Sequence, residues 1–143
     1  MRPPQRAILA RHDFTPEAID QLEDRLYEHN TAATGHRDGQ GLGFEVLDDD
    51  GAQIGAVAGH SWGGVAEIKQ LWVDAAHRGQ GLGLALLDAA LAEARRRGCR
   101  QVFLMSYDFQ APGLYERRGF ARLIEIPDWP EGHVNVLLGL RLD

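Results

Sequence analysis

A chain of 143 residues, 44% hydrophobic and 25% charged, is sized for a single domain spanning residues 1–143 that can bury its own core, with no room for a second. A formal charge of −6 argues against a nucleic-acid binder, because phosphate neutralisation needs a basic surface, and suits a cationic small partner instead. Apolar runs such as Leu84–Leu87 fall far short of the roughly 20 residues that cross a bilayer, so no membrane partner is expected, and Ala7 to Ala10 is too brief for a signal-peptide core, which reads as a cytoplasmic protein.

Taken in chain order, Ala7 to Ala10 reads as a first strand, and Thr15-Pro16-Glu17 as an N-cap with Pro at N1, opening a helix from Glu17 to about His29. Thr31 to Gly41 carries turn formers and no period, so a loop is expected there. Gly43 to Leu47, Gln53 to Gly59 and Ala66 to Val73 are β-rich runs separated by strong turn signals, an antiparallel meander. A helix follows from Gly81 to Arg97, with Leu84, Leu87, Leu91 and Ala94 on one face and arginines in its last turn. Gln101 to Met105 is a strand, Gln110 to Arg118 a short helix, and Phe120 to Ile126 and Val134 to Leu142 are two closing strands. The predicted class is α/β with a mixed central sheet in the order β-α-β-β-β-α-β-α-β-β. Its strand-helix-strand unit from Ile68 to Met105 implies a parallel crossover.

Chemistry concentrates where a strand, Leu71-Trp72-Val73, meets a glycine-rich helix entry, Arg78-Gly79-Gln80-Gly81-Leu82-Gly83. Three glycines in five residues leave backbone N–H groups unshielded beside the positive end of a helix dipole, a cradle for pyrophosphate. Loop punctuation would produce the same glycines. The Gly-x-Gly-x-x-Gly dinucleotide spacing is not met, and Lys69, the one lysine, is not in a Gly-Lys-Ser/Thr loop, so neither a dinucleotide site nor a P-loop is expected. One cysteine, Cys99, and six histidines without tight spacing point away from a metal, and Cys99 reads as a core thiol. The Arg95-Arg96-Arg97 run reads as a solvated helix end.

Arg78, Gly81 and Gly83 fill the pattern Arg/Gln-x-x-Gly-x-Gly/Ala, and Ala111-Pro112-Gly113-Leu114-Tyr115-Glu116-Arg117-Arg118-Gly119-Phe120 fills Ala-x-x-Leu-Tyr-Glu-x-x-Gly-Phe about 30 residues on. On these two motifs the chain resembles the GNAT acetyltransferase family. The resemblance implies acetyl-CoA as co-substrate, its pyrophosphate on the amides from Arg78 through Gly79, Gln80, Gly81 and Leu82 to Gly83, and its pantetheine arm along Leu71, Trp72 and Val73 like an added strand. It also implies direct attack by a substrate amine, with Tyr115, on the same helix face as Ala111, protonating the leaving thiolate. Where the family commonly has an Asn that bonds the pantetheine, this chain has Asp108, which cannot donate when ionised and is also a candidate cap for the next helix.

Glu67, eleven residues before Arg78, matches the glutamate of the histone-acetylating branch and is the candidate base; a surface pair with Lys69 accounts for it equally. Simple alternation would put Glu67, Lys69, Leu71 and Val73 on one face. His133, in the turn Pro127 to His133, is a second candidate base or a substrate contact. Trp62 and Trp129 are candidate walls of an amine pocket through cation–π contact. The expected activity is acetyl transfer to a primary amine of a small, cationic molecule. A non-catalytic acyl-CoA-binding domain and an enzyme acting on protein or peptide amines remain alternatives. A homodimer joined through sheet edges or helix faces is among the assemblies the resemblance implies.

Overall fold

Thr15 begins the first helix as its sequence suggests: its Oγ1 accepts the Ala18 N–H at 3.1 Å and Pro16 occupies the first turn of α1 (Pro16–Thr34). The computed structural model describes residues 1–2 and 4–143; Pro3, in the N-terminal segment read above for targeting, lies outside them. Residues 1–36 and 37–143 form two compact units.

In the first unit α1 continues past the expected end at His29. Thr31 and Thr34 return their hydroxyls to the carbonyls of Glu28 and Asn30, at 2.9 and 2.7 Å, so these turn-forming residues sit inside the helix without an unmet donor. Gly35 ends it, its N–H bonded to the Thr31 carbonyl at 2.8 Å. The strand expected at Ala7 to Ala10 does not form. Ile8 and Leu9 are 98% and 77% exposed, and a short apolar run has no reason to extend without a partner strand to take its hydrogen bonds.

The second unit is a six-stranded mixed sheet with helices on its connections. Its elements are β1 (Gln40–Leu47), β2 (Gln53–Trp62), β3 (Val65–Val73), α2 (Leu82–Arg96), β4 (Gln101–Tyr107), α3 (Pro112–Glu116), β5 (Ala121–Pro127) and β6 (Val134–Arg141). The strands lie in the order β1-β2-β3-β4-β6-β5, with β3 and β4 parallel and every other pair antiparallel. With the first strand absent, the observed order is α-β-β-β-α-β-α-β-β. Leu86, Leu87, Ala90, Leu91 and Ala94 of α2 form the buried helix face and share one core cluster with Val57, Ala66, Ile68, Val102, Leu104, Val136 and Leu138 of the sheet. Each large side chain so buried stabilises the fold by about 1.5–3 kcal/mol.

Two features depart from the sequence reading. Ala58 and Gly59 of β2 pair with Gln70 and Ile68, so Lys69 is an extra residue in β3. This bulge reverses the alternation: Ala66 and Ile68 face the core, and so do Leu71 and Val73, whereas Glu67 and Trp72 are exposed. Glu67 therefore does not share a face with Leu71 and Val73. Gly59 makes the bulge sterically possible, because a Cβ there would stand 2.0 Å from the Glu67 carbonyl oxygen. The second departure is Arg97, which is not part of a solvated helix end. Its guanidinium donates to the carbonyls of Gln40 and Gly41 and to Ser61 Oγ at 2.8–3.2 Å, and pairs with Glu93, fastening the end of α2 to β1 and β2.

Candidate active site

The site originates in a mismatch between two parallel strands. β3 and β4 are paired only from Val65/Gln101 to Ile68/Leu104; beyond that point Gln70–Val73 pairs with β2 alone and Met105–Tyr107 with β6 alone. The strands part, and a cleft of about 750 Å³ opens between Ile68–Val73 on one side and Leu104–Ser106 on the other. Asp74 donates its N–H to Ile54 at 2.8 Å. By the alternation of an antiparallel ladder, the N–H and C=O groups of Leu71 and Val73 then point away from β2, toward the parted side, and those of Trp72 point to β2. The Val73 carbonyl accepts from Arg78 Nε at 3.2 Å.

Arg78, Gly79, Gly81, Leu82 and Gly83 line the end of this cleft, at the start of α2, while Gln80 in the same turn is exposed and outside the lining. Gly79 and Gly81 have φ of +77° and +81°, with open space where a Cβ would project, so the turn presents bare backbone at the helix N-terminus. The first N–H groups of α2 have no acceptor within the helix and carry its positive partial charge. Lys69, Arg78 and Arg117 add formal charge, and among the described residues no carboxylate lines the cleft. An acidic chain thus carries a basic groove, which suits a polyanionic ligand. His77, also in the lining, bonds Asp74 through Nδ1 at 3.0 Å, and that hydrogen bond holds the Asp74 carboxyl below its ordinary value.

Tyr115 in α3 borders the cleft, as do Ala111 and Leu114. It is 8% exposed and meets Phe120 edge-on at 5.9 Å, so it packs against the core and borders the cleft at once. Burial pushes its phenol above the ordinary pKa, so the proton stays on oxygen at neutral pH.

The remaining candidates separate. Glu67 is exposed beside its cross-strand partner His60 and is not in the cleft lining. Trp62 lies at the far end of β2, opposite Val65, roughly 25 Å along the strand from Val73 at about 3.3 Å per residue. It borders a smaller polar cavity of about 260 Å³ with Arg97 and Cys99, so Trp62 and Trp129 do not wall one pocket. Cys99 is buried there, and desolvation pushes its thiol pKa up. Asp108 is outside the lining and does not cap α3, whose N-cap is Ala111 with no side-chain bond. Its carboxylate instead bonds His133 Nδ1 at 3.0 Å and the Val134 N–H at 3.2 Å. Trp129 meets Tyr107 edge-on at 6.3 Å, and Tyr107 stacks on Phe109 at 5.2 Å.

Ser106, Phe109, Gln110 and Arg117 line the cleft although the sequence assigned none of them a site role. Alternation from Val102 through Leu104 would have reached Ser106. Phe109 and Gln110 directly precede the second motif, and the Gln110 Oε1 accepts the Tyr107 N–H at 2.8 Å. Among the described residues no cluster of ligating side chains suits a metal, and no helix is long and apolar enough to cross a membrane.

A mixed sheet whose central parallel strands part over a glycine-rich helix N-terminus is the architecture of a GNAT-type acyltransferase. A profile of the acetyltransferase (GNAT) family matches residues 7–120. Acetyltransferase Atu2258 of Agrobacterium fabrum is 35% identical over 75% of this chain and 78% of its own length. Blasticidin-S acetyltransferase of Streptomyces morookaense is 42% identical over 62% of this chain and 65% of its own. A crystal structure from Agrobacterium tumefaciens, assigned as an acetyltransferase, superposes with a TM-score of 0.85 at 30% identity, covering 96% of this chain and all of that one. The chain belongs to the GNAT acetyltransferase family.

Proposed function

We propose that this protein transfers acetyl directly from acetyl-CoA to a primary amine of a small, cationic molecule. The observation that carries the reading is the cleft itself: a parted strand edge leads into a bare glycine turn flanked by Arg78 and Arg117, with Tyr115 on its border. Acetyl-CoA supplies the acetyl group as an activated thioester. The cleft fits it, since Gly79 and Gly81 leave their backbone open and no carboxylate among the described lining residues opposes its phosphates.

The chain's own groups divide the work. Amides from Arg78 to Gly83 hold pyrophosphate. Leu71 and Val73 offer main-chain donors and acceptors to the pantetheine amides, and the Val73 N–H is positioned to stabilise charge developing on a carbonyl oxygen. Tyr115, protonated at neutral pH, delivers a proton to the departing sulfur. In this reading Trp129 and His133 serve the acceptor, and Trp62, at the opposite end of the sheet, has no part. The acetylation of blasticidin-S named for one relative supports a small-molecule acceptor.

Calorimetric titration with acetyl-CoA followed by CoA release against a panel of amines tests the proposal. Saturable binding and amine-dependent release are expected; binding without release would leave a non-catalytic acyl-CoA-binding domain, and release confined to peptides would move the acceptor to protein amines. Tyr115→Phe should lower kcat by about 100-fold, the low end of general-acid effects, with acetyl-CoA affinity retained. Unchanged turnover removes Tyr115 as the acid.

A further inference from the structure

We infer that Asp108 and His133 together form the base that takes the proton from the acceptor ammonium, an assignment that rests on the acetyl-transfer reading of the cleft. His133 Nδ1 lies 3.0 Å from Asp108 Oδ1. The carboxylate is itself held, its other oxygen accepting the Val134 N–H at 3.2 Å while the Asp108 N–H donates to the Val134 carbonyl at 2.9 Å. An ionised carboxylate accepts only, so the shared proton sits on Nδ1 and the lone pair is on Nε2, the arrangement that makes imidazole a proton acceptor.

Neither residue is in the cleft lining; the pair adjoins it through Phe109. Asp108 and Phe109 continue directly from the parted half of β4, Phe109 lines the cleft, and the His133 ring meets Phe109 edge-on at 5.0 Å. Around them the surface suits a cation. Phe109 and Trp129 are 57% and 47% exposed, an aromatic border of the kind that attracts ammonium groups. From Leu123 to Leu140 the chain carries Glu125, Asp128 and Glu131 and no Lys or Arg. Glu125 is paired with Arg122 at 3.4 Å, which leaves Asp128 and Glu131 as the carboxylates flanking Trp129, while Lys69, Arg78 and Arg117 line the cleft.

In the step, His133 Nε2 accepts one proton of the ammonium and passes it to solvent. The freed lone pair forms the N–C bond to the acetyl carbon as the C–S bond breaks, and Tyr115 protonates the sulfur. The nitrogen loses its second proton to solvent, solvent reprotonates Tyr115, and one proton is released per turnover.

Deprotonation before attack is needed only when the nucleophile arrives protonated, and that separates this role of His133 from structural support. With an alkyl diamine, whose amines titrate near 10 and are charged at neutral pH, His133→Gln should lower kcat by about 100-fold. With hydroxylamine or a hydrazide, neutral under the same conditions, the loss should shrink to a few-fold, with calorimetric acetyl-CoA affinity unchanged. Asp108→Asn should fall between. Imidazole ¹⁵N spectra, which need no acceptor, should show His133 as the Nδ1–H tautomer in the native protein. An equal loss with both nucleophiles, no loss with either, an Nε2–H tautomer, or an acceptor-dependent loss in Glu67→Gln instead of His133→Gln would each overturn the assignment. Native protein that binds no acetyl-CoA would instead fail the acetyl-transfer reading and the assignment with it, a result the calorimetry reports separately.

Discussion

The two halves of the β3–β4 pair are built from the same strands and end up doing opposite things. Where Val65–Ile68 faces Gln101–Leu104, the ladder is closed and Ala66, Ile68, Val102 and Leu104 are all buried. Beyond it, Lys69, Gln70 and Met105 are exposed, and backbone groups that a third strand would have satisfied face a cleft. Pairing on both edges stabilises the first half; the second keeps Leu71, Val73 and Ser106 against the core but loses the β3–β4 ladder, which leaves an edge where an extended ligand could supply the missing hydrogen bonds. The bulge at Lys69 stands at the boundary between the two.

Substitutions on either side of that boundary should differ sharply. The largest effect is expected in the closed half, where Leu104→Ala should cost about 2–5 kcal/mol in denaturant unfolding, the range for truncating a buried leucine. Met105→Ala, one residue on and exposed, should cost less than about 1 kcal/mol, because exposed sites away from special contacts change stability little. Similar losses at both positions would mean that the halves are not distinct. At the boundary, Gly59→Ala should cost about 3 kcal/mol, the upper end for overpacking, because the obstacle is the Glu67 backbone oxygen and cannot rotate aside. It should also weaken acetyl-CoA binding through the displaced strand; full stability and affinity would detach the bulge from the cleft.

The smallest effect belongs to a pair behind the parted half. Arg118 forms a two-pronged contact with Asp88, at 2.6 and 3.0 Å, and that hydrogen bonding holds the Asp88 carboxyl below its ordinary value of 3.8. A lowered folded-state pKa contributes stability above the unfolded value that is lost as pH falls through the folded one. Asp88→Asn should therefore barely lower the thermal midpoint at neutral pH, since both groups are solvent-screened, and the difference from the native protein should shrink as pH falls under 3.8 and vanish below the lowered folded-state value. A difference that persists there would assign it to packing.

Features that depend on neighbouring residues were legible in the sequence: the Thr15 cap, the three meander strands, the glycine entry to α2 and the Tyr115 helix all form near where local chemistry predicts. The arrangement of site residues was legible only in part. Arg78, Gly81 and Tyr115 converge because each is fixed by a short segment flanking one crossover unit. Glu67 and Trp62, placed by spacing and residue type alone, do not join them, because an extra residue reverses one strand and the sheet carries the other to its opposite end. Ala7 to Ala10 had the composition of a strand and no partner to make it one.

The sequence by itself determined the class of fold, the glycine-rich turn at the start of α2 and the family, since these follow from periodicity, φ-permissive glycines and two local motifs. Tertiary structure alone decided where the strands part, which backbone groups of Leu71 and Val73 face the cleft, and that Asp108 meets His133 across 25 residues of chain. Register and long-range pairing set all three, and they emerge only when distant segments compete for the same hydrogen bonds.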